Sequence, residues 1–282
     1  MEQEAEKPAE TKLISRRDVM RWAGTGALTA LVAGSYGAID SAAVVVEKHD
    51  LLLPNWDADG FRVAVISDIH ANDPIAAART VTAVHLALQQ KPDLIALPGD
   101  FVNFSWYYTI DTMINALRDL HEAKCPVVGT LGNHDYWTQN PRSVIRALRE
   151  RTNMRLLMNE SVDIQGVTVA GIDDAIAGNQ RPQFIEKLDN KSVLVLLHEP
   201  DFVKEVPTNA SVQISGHSHG GQVCLPFGIP VHTPRGSWKY QKGFYPDARV
   251  PLYVTRGVGT VGPPVRAFCP PEVSLLTLRS AR

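Results

Sequence analysis

The sequence has 282 residues, of which 44% are hydrophobic and 21% are charged, and its formal net charge at pH 7 is -2. A chain of this length and composition can bury a large core, and we expect one large domain. The charge balance provides no basic field, so no nucleic-acid polymer is expected as a partner.

The first 45 residues have the pattern of an export signal or membrane anchor. Arg16 and Arg17 precede an uncharged run from Trp22 to Ile39 that is rich in Ala and Gly. This arrangement resembles a twin-arginine signal, and the alternative is an ordinary amphipathic N-terminal helix. The resemblance implies the twin-arginine export machinery as a partner. It places the protein in the periplasm or on the outer face of the cytoplasmic membrane, with membrane association if the signal is not cleaved.

From Phe61 onward, short apolar runs alternate with helix-like segments, which predicts an α/β domain over residues 46–282. Strands are predicted at FRVAVIS, DLIALP and PVVGTL, and helices at residues 74–90, 109–121 and 143–151. The second half is richer in strands. VDIQGVTVAGID predicts a hairpin, and further strands are predicted at SVLVLL, ASVQIS, PLYVT and VSLLTL.

One glycine motif does not indicate the dinucleotide-binding site that its spacing suggests. GVGTVG, at residues 257–262, matches G-x-G-x-x-G, but Pro263 and Pro264 follow where a dinucleotide-binding fold needs a helix. We therefore predict a glycine-rich loop.

Residues able to bind metals follow five of the predicted strands. They are Asp68, His70, Asp100, Asn133, His134, Asp135, His198, His217 and His219. Because the carboxyl ends of strands form the binding crevice of an open α/β sheet, we expect these side chains to meet. Asp68 and His70 are expected to share one side of an extended chain. A single capping Asp or surface His is common, whereas the succession of five predicts a metal site.

The motif order D-x-H, G-D, G-N-H-D, H and G-H-x-H resembles the calcineurin-like metallophosphoesterase superfamily from about Phe61 to the C-terminus. GHSHGGQ, together with RGVGTVGPPVRAFCPPEVSLLTL, is similar to the YkuE- and YaeI-like bacterial phosphodiesterase branch. The fold implied is a four-layer α/β/β/α sandwich, in which two mixed sheets are flanked by helices.

The resemblance also implies two divalent metal ions that share one bridging carboxylate. The implied ligands are Asp68, His70 and His219 for one ion, Asn133, His198 and His217 for the other, and Asp100 for both. Manganese, iron, zinc and cobalt suit this mixture of imidazoles and carboxylates.

Four further residues are candidates for catalysis or substrate binding next to the metals. The resemblance implies that His134 acts on the leaving-group oxygen without binding metal. Asn103 stands where phosphoprotein-phosphatase relatives have an Asp, and its side-chain oxygen could accept a hydrogen bond from His134. Arg266 is expected either to contact phosphate or to form a structural salt bridge. Trp106, in the run FSWYY, is expected either to pack on the next helix or to line a substrate groove.

Together these residues imply a hydrolase of phosphoester bonds, with phosphodiesters favoured, that uses a metal-bridging hydroxide. The phosphoester substrate is expected to be linked to a lipid or a nucleotide. One alternative is a zinc-dependent amidase or deacetylase, which would need a single metal. Another is a non-catalytic metal-binding envelope protein, which would not need the full catalytic set.

Overall fold

The computed structural model describes residues 43–71, 73–103 and 110–281. Trp106 and almost all of the expected export segment lie outside these ranges. Within them, no helix is both long enough and apolar enough to cross a membrane.

The first sheet has six strands in the order β1-β14-β2-β3-β4-β5. The strands are β1 (Val45–Leu53), β2 (Phe61–Val65), β3 (Leu94–Pro98), β4 (Val127–Thr130), β5 (Arg155–Leu156) and β14 (Glu272–Ser280). β2 to β5 run parallel, while β14 is antiparallel to β2 and parallel to β1. The sheet is therefore mixed, and four adjacent parallel strands end at one edge.

The second sheet also has six strands, in the order β12-β13-β9-β8-β7-β6. The strands are β6 (Glu160–Ile164), β7 (Val167–Gly171), β8 (Val193–Leu196), β9 (Val212–Ser215), β12 (Gly243–Tyr245) and β13 (Leu252–Val254). β7, β8, β9 and β13 are parallel, and β6 and β12 are antiparallel edge strands. A separate ribbon pairs β10 (Cys224–Leu225) with β11 (Ile229–Pro230).

Four α-helices lie in the described part of the chain: α1 (Pro74–Gln89), α2 (Ile110–Ala116), α3 (Asn133–Tyr136) and α4 (Pro141–Arg151). α1 begins where Asp73 accepts hydrogen bonds from the backbone of Ile75 and Ala76. A proline follows that cap, in the first turn, where its missing N–H costs nothing. The 3-10 helices are Arg118–Glu122, Pro182–Lys187, Pro200–Glu205, His219–Gly221 and Pro226–Gly228.

The two sheets face each other across an apolar core. Val63 and Val65 of the first sheet belong to the same buried cluster as Val169 and Leu194 of the second. On the outer face of the first sheet, a separate buried cluster joins its strands to α1, α2 and α4. The outer face of the second sheet is covered by the 3-10 helices Pro182–Lys187 and Pro200–Glu205. The predicted architecture of two mixed sheets flanked by helices is thus confirmed.

Two departures from the predicted elements have physical causes. β1 was not predicted, because VVEKHDLLL has three charged residues in its centre; its nine-residue parallel pairing with the distant β14 overrides that local pattern. The expected helix at 109–121 is two elements, α2 and the 3-10 helix Arg118–Glu122. The hairpin at GVTV is confirmed, with β6 paired to β7, and GVGTVG forms a loop.

Candidate metal centre

The strand-end residues converge between the two sheets. Asp68 follows β2, Asp100 follows β3, and Asn133 follows β4. From the other sheet, His198 follows β8 and His217 follows β9. All are buried. Parallel neighbouring strands bring these positions to one edge of each sheet, and the packing of the sheets brings the edges together.

One group of candidate ligands comprises Asp68, His70, Asp100 and His219, whose ligand atoms lie within 4.8 Å of one another. Nε2 of His70 lies 3.1 Å from Nε2 of His219 and 3.5 Å from Oδ2 of Asp100. Oδ1 of Asp68 lies 3.6 Å from Nε2 of His219. The four side chains thus point at one small volume.

A second group comprises Asp100, His198 and His217, again with ligand atoms within 4.8 Å of one another. Nε2 of His198 lies 3.2 Å from Oδ2 of Asp100, and the His198 and His217 ring centroids are 5.0 Å apart. Asp100 belongs to both groups. Its carboxylate therefore joins them, in the bridging position expected from the sequence.

Backbone carbonyls orient three of the imidazoles. A carbonyl oxygen can only accept, so the ring nitrogen that faces it carries a proton, and the other nitrogen points toward the cluster, where it can offer a lone pair once the ring is neutral. Nδ1 of His70 donates to the carbonyl of Val102 (3.0 Å), and Nδ1 of His198 donates to the carbonyl of Pro98 (2.6 Å). Nε2 of His217 donates to the carbonyl of Arg235 (2.9 Å).

The donor set fits a divalent cation. Oδ2 of Asp68, Oδ1 of Asn133 and Nε2 of His198 are buried and have no hydrogen-bond partner among the described residues. Unpaired buried polar atoms are costly, so such atoms gathered in one place indicate a missing partner. Carboxylate and amide oxygens and imidazole nitrogens are ligands of Mn, Fe, Zn and Co. The cluster is therefore suited to divalent metal binding.

The backbone at the ligands is unusual. Five ligand residues have a left-handed conformation, with φ of 52° at Asp68, 42° at His70, 56° at Asp100, 68° at His217 and 50° at His219. Such values are uncommon outside glycine and concentrate at functional sites. The expectation that Asp68 and His70 lie on an extended chain was wrong, because β2 ends at Val65 and the chain turns sharply beyond it.

Gly216 permits the closest approach of the two sheets at the site. A Cβ atom there would lie 2.1 Å from Oγ of Ser67 and 2.3 Å from Oδ2 of Asp68. Only glycine leaves room for that contact. The backbone N–H of His217 can then donate to Oδ1 of Asp68 at 2.8 Å.

Burial sets the protonation of the cluster. It lowers the pKa of His70 and of His217 to about 3, so both rings are neutral at pH 7 and can offer a lone pair. Burial opposes the charge of Asp100, but His198 beside it holds the pKa of Asp100 well below its usual value. Burial also opposes the charge of His198, and Asp100 raises the pKa of His198 well above 6.5. A cation that binds here must displace that proton.

The structure places Asp135 in neither ligand group, and it instead fixes the loops that carry the ligands. Its carboxylate accepts backbone N–H bonds from Asp100, Phe101, Val102 and Gly132, at 2.9 to 3.2 Å. The loop after β3 is thereby tied to the loop after β4. The signal was its place in GNHD, but the partners could not be known before the two loops were seen to meet.

The structure corrects the interpretation of Arg266. Its side chain is fully buried and donates to the carbonyls of Gly259 (2.8 and 3.0 Å) and His219 (3.2 Å), among others. Gly259 in turn donates to the carbonyl of Asp68 at 2.6 Å. Arg266 therefore neither faces a substrate nor pairs with a carboxylate. It links the glycine-rich loop to the His217–His219 segment.

His134 lies at the cluster but in neither ligand group. Its backbone N–H donates to Oδ1 of Asp100 at 2.9 Å, and its ring centroid is 4.9 Å from that of His70. Nδ1 of His134 has no hydrogen-bond partner among the described residues, so this nitrogen does not form the bond to Asn103 that the sequence allowed. Asn103 is half-buried in the loop after β3.

A cavity of about 580 Å³ opens above the cluster. Asp100, Asn133, His217 and His219 line its floor with His134. Its walls are largely apolar and include Trp137, Ile176, Val223, Val231 and Val261. Arg235 lines the same cavity and is exposed, unlike Arg266. The cluster is thus open to a ligand from one side.

A buried cluster of Asp, Asn and His at the strand ends of two facing sheets defines a metal-dependent α/β enzyme. Residues 61–221 match the family described as calcineurin-like phosphoesterase, and the chain belongs to that family. It is a phosphoric ester hydrolase. The resemblance predicted from the ordered motifs is confirmed.

Known relatives extend the similarity over most of the chain. The metallophosphoesterase YkuE of Bacillus subtilis (strain 168) is 30% identical over 290 residues, which covers 95% of this chain and 99% of YkuE. The phosphodiesterase YaeI of Escherichia coli (strain K12) is 29% identical over 238 residues, covering 82% of this chain and 87% of YaeI. A solved dimetal phosphatase from Danio rerio is similar in fold, with a TM-score of 0.51, 12% identity, and coverage of 79% of this chain and 100% of its own.

We expect Asp100→Asn to reduce metal content more than Asp68→Asn, because Asp100 belongs to both ligand groups and Asp68 to one. The loss of affinity in Asp100→Asn should exceed the roughly 10- to 100-fold typical of losing an outer contact. Plasma mass spectrometry of the purified proteins measures the metal. Asp50→Asn, at an exposed carboxylate, is the control and should match wild type. Equal losses in the Asp100 and Asp68 variants would contradict the bridging role.

Proposed function

We propose that the protein hydrolyses phosphodiesters with two divalent metal ions held between its sheets. The observation that carries this proposal is the position of Asp100 in both candidate ligand groups. One carboxylate shared by two sets of imidazoles is the arrangement that holds two cations close together. Manganese, iron, zinc and cobalt are the proposed metals.

In the proposed mechanism, His134 supplies the proton that the leaving group needs. When bound, divalent ions at such a site polarise the phosphoryl group and lower the pKa of a bound water. His134 is held at the cavity floor by its backbone bond to Asp100. Because its ring lines the cavity, a leaving-group oxygen bound there can accept a hydrogen bond from it.

Arg235 is the proposed phosphate contact. It is an exposed guanidinium on the wall of the cavity, and its carbonyl accepts the bond that orients His217. A planar guanidinium matches two phosphoryl oxygens at once. The apolar walls leave room for a lipid or a nucleoside next to the phosphoester, and a substrate of one of those two types is proposed.

Two features support this function over the alternatives. The sevenfold ligand set exceeds the three protein ligands of a typical mononuclear zinc amidase. A non-catalytic metal protein would not need an unpaired imidazole beside the metals. His134 therefore favours catalysis.

The proposal is tested with purified, metal-loaded protein on bis(p-nitrophenyl) phosphate and on p-nitrophenyl phosphate. We expect a higher kcat/KM for the diester, because the apolar walls can hold a second ester group. Treatment with a chelator should abolish turnover, and Asp100→Asn should be inactive. A preference for the monoester would contradict the diester specificity, and the absence of any turnover would contradict catalysis itself.

We expect His134→Gln to keep wild-type metal content but to lose about 10²- to 10⁴-fold in kcat, the usual scale for a positioned proton donor. The loss should be large for an alkyl diester, whose leaving group needs a proton. It should be much smaller for a nitrophenyl diester, whose leaving group does not. Loss of metal in step with activity would make His134 a ligand instead, and equal loss on both substrates would exclude the proton-donor role.

Export by the twin-arginine route remains a proposal, supported by Arg16 and Arg17 ahead of the uncharged run at residues 22–39. Replacing both arginines with lysine keeps the charge, yet should retain the precursor in the cytoplasm if the arginines themselves are recognised. Cell fractionation with an activity assay measures the result. Lys7→Arg and Lys12→Arg, elsewhere in the leader, are matched controls. Unchanged export of the double variant would contradict the proposal.

A further inference from the structure

The β10–β11 ribbon exposes a continuous apolar face. Leu225 pairs with Ile229, and Val223 accepts a backbone bond from Val231, so these four side chains alternate onto one face. Phe227, at the turn, is 100% exposed. These five residues are half of the ten exposed large hydrophobic residues in the described ranges. We name residues 223–231 the apolar hairpin.

The turn of the apolar hairpin contains a residue whose backbone conformation is unusual for its type. Phe227 has φ of 69°, in the left-handed region where glycine or asparagine is usual. An aromatic residue in that conformation, with its side chain wholly in solvent, gains nothing inside the protein. Residues that violate local preference without internal compensation are expected where function requires them.

The apolar hairpin is continuous with the metal centre. Val223 and Val231, at its base, line the same cavity as His217 and His219. At its other end, Lys242 donates a hydrogen bond to the carbonyl of Gly228, which fixes the turn. Whatever contacts the apolar face therefore also lies at the mouth of the cavity.

The surrounding chain is basic. Residues 206–246 contain no Asp or Glu, whereas they carry Arg235, Lys239 and Lys242. Lys239 follows Trp238, which is exposed, and both stand within four residues of Lys242. Apolar side chains flanked by cations and an exposed Trp are the pattern of a surface that enters the headgroup region of an anionic bilayer.

We propose that the apolar hairpin docks into an anionic lipid bilayer. Phe227, Leu225 and Ile229 enter the acyl boundary, and Lys239 and Lys242 contact the headgroup phosphates. Docking holds the cavity mouth at the level of the headgroups, within reach of lipid phosphoesters. That last consequence rests on the proposed hydrolysis, whereas the docking itself does not.

The test is flotation of the full-length protein with vesicles of phosphatidylglycerol and phosphatidylcholine. We expect Phe227→Asn, which suits the left-handed turn, to weaken partitioning about tenfold, the scale of losing one buried aromatic side chain. Ile75→Asn, at an exposed apolar residue of α1, is the matched control and should partition as wild type. Lys239→Gln should weaken binding roughly fivefold, and only to vesicles that contain phosphatidylglycerol. Equal partitioning of Phe227→Asn and wild type, together with hydrogen exchange at the hairpin that vesicles leave unchanged, would overturn the proposal.

Hydrogen exchange of the wild-type protein gives a second measurement, because residues 1–45 are also expected to reach membranes and could saturate flotation. Amides at the turn, residues 227 and 228, should exchange quickly in solution and become protected when vesicles are added. Protection without vesicles would show that the leader or a second copy covers the face, and would overturn the proposal. So would unchanged exchange in vesicles that bind the protein.

Turnover of bis(p-nitrophenyl) phosphate separates this proposal from the proposed function. Phe227→Asn should hydrolyse this soluble diester at the wild-type rate, because Phe227 does not line the cavity. If Phe227→Asn loses as much turnover of the soluble diester as it loses vesicle binding, the hairpin has only a structural role. If neither protein hydrolyses the diester while vesicle binding still depends on Phe227, the hydrolytic proposal fails and docking stands.

Discussion

The burial of two carboxylates at one point is the constraint on which the rest of the site depends. Asp68 and Asp100 are both almost fully buried, and their nearest charged partners are imidazoles. Burial keeps His70 and His217 neutral, which leaves His198 as the proton carrier beside Asp100. The cluster is therefore short of positive charge at neutral pH. A divalent cation relieves that deficit, and the unpaired buried atoms around it supply the remaining ligands.

The site was predictable from the sequence where the information is local. Asp100 and His198 stand at the ends of short buried runs, and the topology of an α/β sheet brings such ends together. The roles of Arg266 and Asp135 were not predictable, because they depend on which loops meet in space. Arg266 carries a guanidinium of the kind that binds phosphate, but its partners are the carbonyl of Gly259, in the loop just before it, and the carbonyl of His219, 47 residues away. β1 was not predicted for the same reason, since its partner strand β14 lies more than 200 residues away in the sequence.

The backbone strain of the left-handed residues is compensated in two different ways. At His217 and His219, the strained backbone is offset within the protein, by the contacts that Gly216 allows and by the bonds of Asp68 and Arg266. At Phe227 no such contact offsets it, because the whole side chain is exposed. A strained residue that gains no stabilising contact inside the protein is expected to gain one outside it. The same segment of chain thus faces inward to the candidate ligands and outward to the proposed bilayer within ten residues.

The two sheets contribute separate halves of the ligand set, so cation binding and sheet packing are linked. Asp68 and Asp100 come from the first sheet, and His198 and His217 from the second. A chain in which the sheets are apart has no complete site, and binding energy therefore stabilises their packing. Arg266 provides a second link that needs no cation, since it joins the carbonyl of His219 to the loop that donates to Asp68. That network of hydrogen bonds holds the ligands in position without a metal, which lowers the ordering cost of binding one.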